Sequence, residues 1–277
     1  MKSNCQAVFL HTGYRTAGTW LWSCFRRLDN VTAYYEPLHE MLATIDPLKL
    51  ASSTADSWRS GHPALEKPYF AEYADLMTPD VAGIAGYEAA FAIDRFDGET
   101  PQDADRIEAY VRALMRASQE QGRVPVLKFC RSLGRLHWFH AAFPDAVHIV
   151  VEKNPISQWQ SCWQLFAAHR NPHFVAVPFA VLALNREVPM VQQALEALHI
   201  DLPQLPQDAS GDAPSFDTCL TFFKDHIATL PPLQVYRAFL GHWLLTLRYA
   251  ATHSDAIFDC DLAGHSPAYV AGAERWI

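Results

Sequence analysis

The chain has 277 residues, of which 50% are hydrophobic, 19% charged and 12% aromatic. This composition is typical of a folded globular protein and not of a disordered one. The formal net charge of -8 argues against general binding to nucleic acid or to an anionic membrane, because both need an excess of Lys and Arg. An anionic ligand would therefore need a locally basic pocket.

Nothing in the sequence predicts a membrane span, a secretory leader or a metal site. The most apolar stretch, 174–184, is about half as long as the roughly 20 residues that a span requires. The first residues lack the apolar core of a signal peptide, so cytoplasm is the expected location. The six cysteines form no CxxC pair and no cluster with zinc-ligand spacing, which predicts reduced thiols and no metal.

Short apolar or β-branched runs alternate along the chain with segments of helical periodicity. The predicted strands are 7–11, 31–36, 125–129, 147–152 and 256–261, and the predicted helices are 19–28, 103–122, 133–143 and 155–170. Such alternation predicts an α/β fold with three layers, in which a mostly parallel sheet of about five strands is flanked by helices. We expect one domain over 1–277.

Two segments interrupt this alternation. Residues 41–100 predict a loop-and-helix excursion, and residues 171–235 predict helices joined by flexible linkers that are rich in Pro, Gly and Ser. Excursions above the ends of parallel strands commonly build the substrate side of a site. We therefore expect both segments to form the acceptor side of a candidate site.

The stretch "GYRTAGTW", residues 13–20, follows the first predicted strand and opens a helix. In this context backbone N–H groups and the helix N-terminus bind phosphate. The stretch has the GxxxxG outline of a nucleotide triphosphatase loop, but Thr19 and Trp20 stand where Lys and Ser or Thr should follow. Arg15 supplies a cation that binds phosphate oxygens in pairs and cannot act as a base. The alternative is a plain strand-to-helix turn with an exposed arginine.

Two further segments favour an anion site at the same edge of the sheet. Residues 153–155 (Lys-Asn-Pro) end a strand and begin a helix, which offers a cation and a helix N-terminus to a second anion, and Ser161 lies two turns further on. Glu36 ends the second strand before Pro37, which predicts an extended or turn conformation. The alternatives are a solvated lysine, a helix-face hydroxyl and an ordinary strand-end turn.

In order, spacing and strand context, these segments resemble motifs of the sulfotransferases that use 3'-phosphoadenosine 5'-phosphosulfate (PAPS). The family's first motif, Lys/Arg-Ser/Thr-Gly-Ser/Thr-Thr-Trp, aligns on 15–20 without a gap. Its second motif, Arg-Asp/Asn-Pro with a Ser six residues after the Pro, aligns on 153–155 and Ser161. "YYEPLHE" is similar to a segment of the carbohydrate sulfotransferases. The resemblance spans 7–40, 125–165 and 236–265, and it is closer to the bacterial and carbohydrate-acting members than to the cytosolic small-molecule ones.

The resemblance implies a P-loop-like fold and transfer of a sulfuryl group from PAPS to a hydroxyl of a small molecule or glycan, without a metal. The residues that it implies for PAPS binding are Arg15, Thr16, Ala17, Gly18, Thr19, Trp20, Lys153 and Ser161. The loop residues would hold the 5'-phosphosulfate, with Trp20 beside the adenine. Lys153 and Ser161 would bind the 3'-phosphate.

For the base that takes the acceptor proton we expect Glu36, since partial desolvation can raise a carboxyl pKa toward neutrality, although Arg15 would oppose the shift. His39 is the second choice, because an unperturbed imidazole titrates near the working pH. His11 is a weaker third choice and is expected to be structural. Lys128 would approach the sulfonate or the acceptor, and Arg15 would stabilise charge.

The sequence also departs from the family's motifs. Ala17 stands where the family has Gly, Gly18 where it has a hydroxyl residue, and Lys153 where it has Arg. Cys130 occupies the place of a catalytic His in cytosolic members. Two alternatives stay open: a P-loop kinase or nucleotidase, with Asp259 and Asp261 as the only candidate magnesium ligands, and a non-catalytic protein that binds PAPS or adenosine bisphosphate.

Overall fold

A computed structural model describes residues 5–58, 61–78, 81–96, 100–205 and 214–273. Its strands are β1 (Ala7–Thr12), β2 (Val31–Tyr35), β3 (Met77–Thr78), β4 (Val81–Ile84), β5 (Val124–Phe129), β6 (Ala146–Glu152) and β7 (Ala256–Asp259). Its α-helices are α1 (Gly18–Phe25), α2 (Pro47–Ala51), α3 (Ala55–Trp58), α4 (Ala104–Glu120), α5 (Leu136–Ala142), α6 (Pro155–His169), α7 (His173–Leu184), α8 (Pro189–Ala197), α9 (Phe216–His226), α10 (Pro232–Thr246), α11 (Cys260–His265) and α12 (Pro267–Ala273).

Five strands form one parallel sheet in the order β2-β5-β1-β6-β7. Every residue of the central strand β1 is buried, as a continuous apolar run predicts for a strand covered on both faces. The connection after β1 leads to β2 on one side, whereas the connection after β6 leads to β7 on the other. In sheets of this kind a crevice opens outside the carboxyl ends of strands whose connections diverge, and residues 13–20 and 153–161 follow β1 and β6.

The predicted α/β architecture is therefore confirmed, with small differences at the ends of elements. The last strand ends at Asp259 and not at Asp261, because the Asp259 carboxylate accepts hydrogen bonds from the backbone N–H groups of Asp261 and Leu262, both at 2.9 Å, and so caps α11. The first helix ends at Phe25, three residues before the predicted end. The predicted strands 31–36 and 147–152 differ from β2 and β6 by one residue each.

Two clusters of buried apolar residues support the sheet and the site. One joins both faces of the sheet to α1, α4, α5 and the segment before α4. The other is built by α6 to α10 around α7, in which Phe174 to Ala183 are all buried. The most apolar stretch of the sequence is therefore the centre of a helical layer, and no helix in the described ranges has the length and apolarity to cross a membrane.

The excursion over 41–100 contains more than the predicted loops and helices. It includes an antiparallel pair, β3 with β4, and three 3-10 helices, Glu40–Ala43, Ala71–Leu76 and Ala89–Ala92. Its aromatic side chains Tyr69, Phe70 and Tyr73 are fully buried against the sheet cluster. In the second excursion, the predicted helices are α7, α8 and α9, and the part of the expected linkers that falls in 206–213 lies outside the described residues.

Candidate functional site

The loop between β1 and α1 has an unusual backbone. Arg15 and Ala17 adopt φ values of 65° and 61°, a region that costs a non-glycine residue on the order of 1 kcal/mol or more. Gly18 admits no side chain, because a Cβ there would lie 2.5 Å from Cγ2 of Thr12. The requirement for glycine at position 18 explains one departure from the family motif. Ala17 begins α1 without a side-chain cap, and nothing in the structure explains why this position is not also glycine.

The loop borders a cavity of about 580 Å³ at the carboxyl edge of the sheet, a size typical of small-molecule sites. Its lining includes all the candidate residues except His11: Arg15, Thr16, Ala17, Gly18, Thr19, Trp20, Glu36, His39, Lys128, Lys153 and Ser161. Segments that are far apart in the sequence thus line the same cavity. Some of these residues contact one another directly, whereas others only share the lining.

Arg15 and Ser161 are in direct contact. Nε of Arg15 donates a hydrogen bond to Oγ of Ser161 at 3.1 Å, and the guanidinium lies 5.1 Å from the centroid of the Phe174 ring. Burial lowers the pKa of Arg15, with Cys162 and Tyr35 opposing the shift, and a guanidinium stays protonated in proteins. A permanent cation therefore sits between the loop after β1 and the helix after β6.

The two threonines of the loop bond to the protein itself. Oγ1 of Thr16 donates to the carbonyl of Gly13 at 2.9 Å, which closes the loop. Oγ1 of Thr19 lies 3.4 Å from Oη of Tyr35. Trp20 is 46% exposed, and its ring lies 6.4 Å from that of Phe258 on β7. Of this group, Trp20 presents the most accessible surface to a ligand.

The N-terminus of α6 is closed by side chains. Asn154 caps the helix by accepting from the N–H of Ile156 at 2.9 Å. The carboxylate of Asp261 accepts from the N–H of Asn154 at 2.6 Å and from Oγ of Ser157 at 3.1 Å. The expectation that this helix N-terminus is offered to a second anion is therefore wrong. Of residues 153–157, Lys153 is the one that lines the cavity.

Glu36 lies in a buried ionic cluster that it shares with Lys128 and Arg131. It is 3% exposed, and Nζ of Lys128 donates to its Oε1. Its Oε2 accepts from the backbone N–H of Cys130 at 2.9 Å and from Nη1 of Arg131 at 3.4 Å. Burial raises the pKa of Glu36, but the attraction of Lys128 and Arg131 outweighs burial and lowers the pKa to about 2.

The expectation that the pKa of Glu36 is raised toward neutrality is therefore wrong. The nearby cations are Lys128 and Arg131, and a carboxylate that they hold ionised accepts a proton poorly at neutral pH. Of the two backbone conformations predicted for Glu36, extended or turn, the residue adopts the turn, with a φ of 47°. The carbonyl of Glu36 accepts from the N–H of His39 at 2.9 Å.

The cluster extends to Glu40 and Cys130. Nη2 of Arg131 donates to Oε2 of Glu40 at 2.6 Å. Nζ of Lys128 lies 3.0 Å from Sγ of Cys130 and 4.8 Å from the centroid of the Tyr35 ring. Burial lowers the pKa of Lys128, but Cys130 and Glu36 outweigh that effect and raise it. Lys128 therefore stays charged at the wall of the cavity.

Three histidines line the cavity, and only one of them was predicted. Nδ1 of His39 accepts from the N–H of Met41 at 3.1 Å, and burial lowers its pKa, so the expectation of an unperturbed imidazole is wrong. His62 and His173 come from the two excursions. Burial, together with nearby cations, lowers the pKa of each to about 3.

His11, the third choice for a base, lies inside the sheet and away from the cavity lining. Its Nδ1 lies 2.8 Å from Oγ of Ser132 and its Nε2 lies 3.0 Å from Nδ1 of His148. Burial and the neighbouring His148 lower its pKa well below its usual value. The prediction that His11 is a structural, hydrogen-bonded histidine is confirmed.

Several residues of the lining were not predicted, including Tyr14, His62, Arg131, His173 and Lys224. Arg131 lies two residues after the end of β5, and this position near a strand end was a signal for it. The other residues of the excursions carried no such signal, because the path of a long connection does not follow from its local periodicity. Trp22, by contrast, is fully buried, and its indole N–H donates to the carbonyl of Ala33 at 3.1 Å.

The carboxylates that a kinase would need for magnesium are engaged elsewhere. Asp259 caps α11 and Asp261 closes the N-terminus of α6. Glu36 and Glu40, which belong to the buried cluster, face Lys128 and Arg131. The geometry of these four carboxylates therefore does not favour the kinase alternative.

Comparisons of the chain with protein-family models, with curated proteins and with solved structures find no match. The resemblance to the sulfotransferases consequently rests on the sequence motifs, chiefly those in 15–20, 34–40 and 153–161.

Proposed function

We propose that the protein transfers a sulfuryl group from PAPS to a hydroxyl acceptor. The contact between Arg15 and Ser161 carries the proposal, because it joins the two PAPS-type motifs across 146 residues of sequence. Lys153 and the loop residues share the same cavity. A donor with phosphates at its 3' and 5' positions needs such cationic and hydroxyl groups from two separate strand ends.

In this proposal the donor lies across the carboxyl ends of β1 and β6. The loop backbone and Arg15 bind the 5'-phosphosulfate, and Lys153 with Ser161 binds the 3'-phosphate. Because Arg15 donates to Ser161, its guanidinium is within reach of both phosphates. The half-exposed ring of Trp20 offers a stacking surface to the adenine.

The chemistry needs positioning, charge stabilisation and removal of one proton. The acceptor oxygen forms a bond to sulfur while the bond from sulfur to the phosphate bridge oxygen breaks, and adenosine 3',5'-bisphosphate leaves with the added negative charge. Lys128, which stays charged beside the cavity, stabilises that charge. The acceptor proton passes to a base.

His62 is better suited than Glu36 to be this base. Glu36 has a pKa of about 2, and three donors occupy its carboxylate. His62 is neutral at pH 7, because burial and then Lys128 and Arg15 lower its pKa. A bound polyanion offsets these two cations and shifts the pKa of His62 upward, toward the range in which an imidazole is an effective base.

Titration calorimetry with adenosine 3',5'-bisphosphate, PAPS and ATP tests the donor site. We expect the first two to bind more tightly than ATP, and Arg15→Ala and Lys153→Ala each to weaken them about 10- to 100-fold, since a hydrogen bond to a charged group contributes about 1.5–3 kcal/mol. Arg123→Ala, which removes an exposed arginine outside the lining, is the matched control. Unchanged affinity for PAPS in the Arg15→Ala/Lys153→Ala double variant would refute the site.

Transfer itself is tested with ³⁵S-labelled PAPS and a panel of hydroxyl acceptors. In this assay His62→Gln should lower kcat by about 100-fold or more, the usual contribution of a general base, and leave the affinity for the bisphosphate within a few-fold of wild type. A His62→Gln variant with wild-type turnover would remove His62 as the base. Binding of PAPS without transfer to any acceptor would instead support the non-catalytic alternative.

A further inference from the structure

We propose that the acceptor carries a carboxylate next to its hydroxyl, and that Lys224 binds this carboxylate. The inference rests on the proposed function of the cavity as a sulfuryl-transfer site, and it names the chemical class of the second substrate. A hydroxy acid or a uronic-acid sugar belongs to this class, whereas a neutral sugar or a simple alcohol does not.

The first argument is the charge of the cavity. Among the residues that the structure describes, its lining contains the cations Arg15, Lys128, Arg131, Lys153 and Lys224 and one carboxylate, Glu36. The whole chain has a formal net charge of -8. The fold therefore concentrates positive charge at this edge of the sheet against the overall balance, which favours anionic ligands.

The second argument is that four of these cations already have a role. Lys128 and Arg131 face the carboxylates of Glu36 and Glu40. Arg15 contacts Ser161 on the proposed donor side, where Lys153 also lies. Lys224 is left over, and it forms no hydrogen bond or ion pair with any other residue in the described parts of the chain.

The third argument is the position of Lys224. Lys224 lies on α9, which packs against α7. The charges of Lys224, Glu40, Arg131 and His39 all act on His173, at the start of α7. Lys153 instead lies near Cys162 and Cys260. Lys224 and Lys153 therefore belong to different ends of the cavity, and the end of Lys224 is the acceptor side.

The fourth argument is an unmet demand for hydrogen bonds at this end. Oη of Tyr14 and Nε of Arg131 are both buried without a hydrogen-bond partner among the described residues, and the Arg131 guanidinium lies 6.0 Å from the Tyr14 ring. A buried group left unpaired costs about 1–3 kcal/mol. A carboxylate held by Lys224 has acceptor capacity to spare for these donors.

The test compares matched acceptors that differ in charge alone. With saturating PAPS, kcat/KM is measured for 2-hydroxybenzoate against 2-hydroxybenzamide, and for methyl glucuronide against methyl glucuronamide. In at least one pair we expect the acid to be preferred by about 10- to 100-fold, the range for one hydrogen bond to a charged group. Lys224→Met should reduce this ratio toward one, Lys224→Arg should retain most of it, and Lys67→Met, at an exposed lysine outside the lining, should leave it unchanged.

The affinity for adenosine 3',5'-bisphosphate, measured on the same variants, separates the two proposals. Wild-type affinity in Lys224→Met together with a lost preference supports the inference. Transfer to acid and neutral acceptors at equal kcat/KM, or a preference that survives Lys224→Met, overturns the inference and leaves sulfuryl transfer standing. If PAPS neither binds nor reacts, the proposed function fails, and the inference fails with it.

Discussion

Two regions at the carboxyl edge of the same sheet are built in opposite ways. At the ends of β2 and β5, the carboxylates of Glu36 and Glu40 face Lys128 and Arg131, so the two negative and two positive charges of this cluster neutralise one another. After β1, Arg15 donates to the hydroxyl of Ser161, and the backbone at Arg15 and Ala17 is held at positive φ. The charges of the cluster are paired with one another, whereas the guanidinium of Arg15 is oriented by a hydroxyl in a loop with strained backbone.

This difference separates two roles that the same residue types can play. A buried carboxylate with several donors contributes to folding, because each partner would otherwise be an uncompensated buried charge. A guanidinium that donates to a hydroxyl is oriented by that hydrogen bond and keeps its own positive charge. We therefore assign Glu36 to the fold, and we propose that Arg15 contributes to donor binding.

Glu36→Gln should have the largest effect, and the effect should be on stability. The substitution leaves Lys128 and Arg131 buried beside a neutral amide, and loss of one partner of a buried pair costs about 3–5 kcal/mol. For a chain of this size the midpoint of thermal unfolding should fall by roughly 10 °C. Differential scanning calorimetry of the purified variant measures this shift.

Glu66→Gln, at an exposed carboxylate, is the control and should unfold within about 0.5 kcal/mol of wild type, as surface changes usually do. The double variant Glu36→Gln/Lys128→Met should recover part of the loss, since it removes the stranded ammonium as well. A wild-type unfolding midpoint in Glu36→Gln would show that the cluster does not stabilise the fold, and it would refute the assignment of Glu36 to the fold.

The protein should lose stability as the pH falls. The folded-state pKa values of Glu36 and Glu40 are about 2, below the ordinary value near 4.5, so the stability that they contribute is present above pH 4.5 and is lost as the pH falls toward 2. The buried histidines His62 and His173 have pKa values of about 3, so the stability that their neutral forms contribute begins to be lost below pH 6.5. Asp94, whose pKa is raised to about 6, acts in the opposite direction.

The free energy of unfolding, measured with urea from pH 7 to pH 3, should therefore decrease with acid in two stages. Glu36→Gln should remove about one proton from the second stage, which corresponds to about 1.4 kcal/mol per pH unit below pH 4.5. The first stage should keep a slope close to that of wild type, because His62 and His173 are retained and loss of Glu36, which raises the pKa of His62, only lowers that pKa further. Equal slopes for the variant and wild type below pH 4.5 would contradict the lowered pKa of Glu36.

The strands were predictable because β1, β5 and β6 are apolar runs that parallel sheets bury on both faces. The environment of Glu36 was not, because it depends on strand order. β2 pairs with β5 so that Tyr35 lies opposite Lys128, and this pairing brings Glu36 beside Lys128 and Arg131. No local pattern specifies that neighbour. For the same reason the sequence could not predict the lining residues that come from the long excursions, His62, His173 and Lys224.

The smallest expected effect is on the loop side of the comparison. Ala17→Gly should stabilise the protein by up to about 1 kcal/mol, because glycine adopts a φ of 61° without the steric cost that alanine pays there, and the gain is limited by the greater freedom of glycine in the unfolded chain. Gly18→Ala, the neighbouring control, should instead destabilise by about 1–3 kcal/mol, since its Cβ meets Thr12 at 2.5 Å. Urea unfolding of both variants measures these changes, and a destabilised Ala17→Gly would show that the loop is not strained at Ala17.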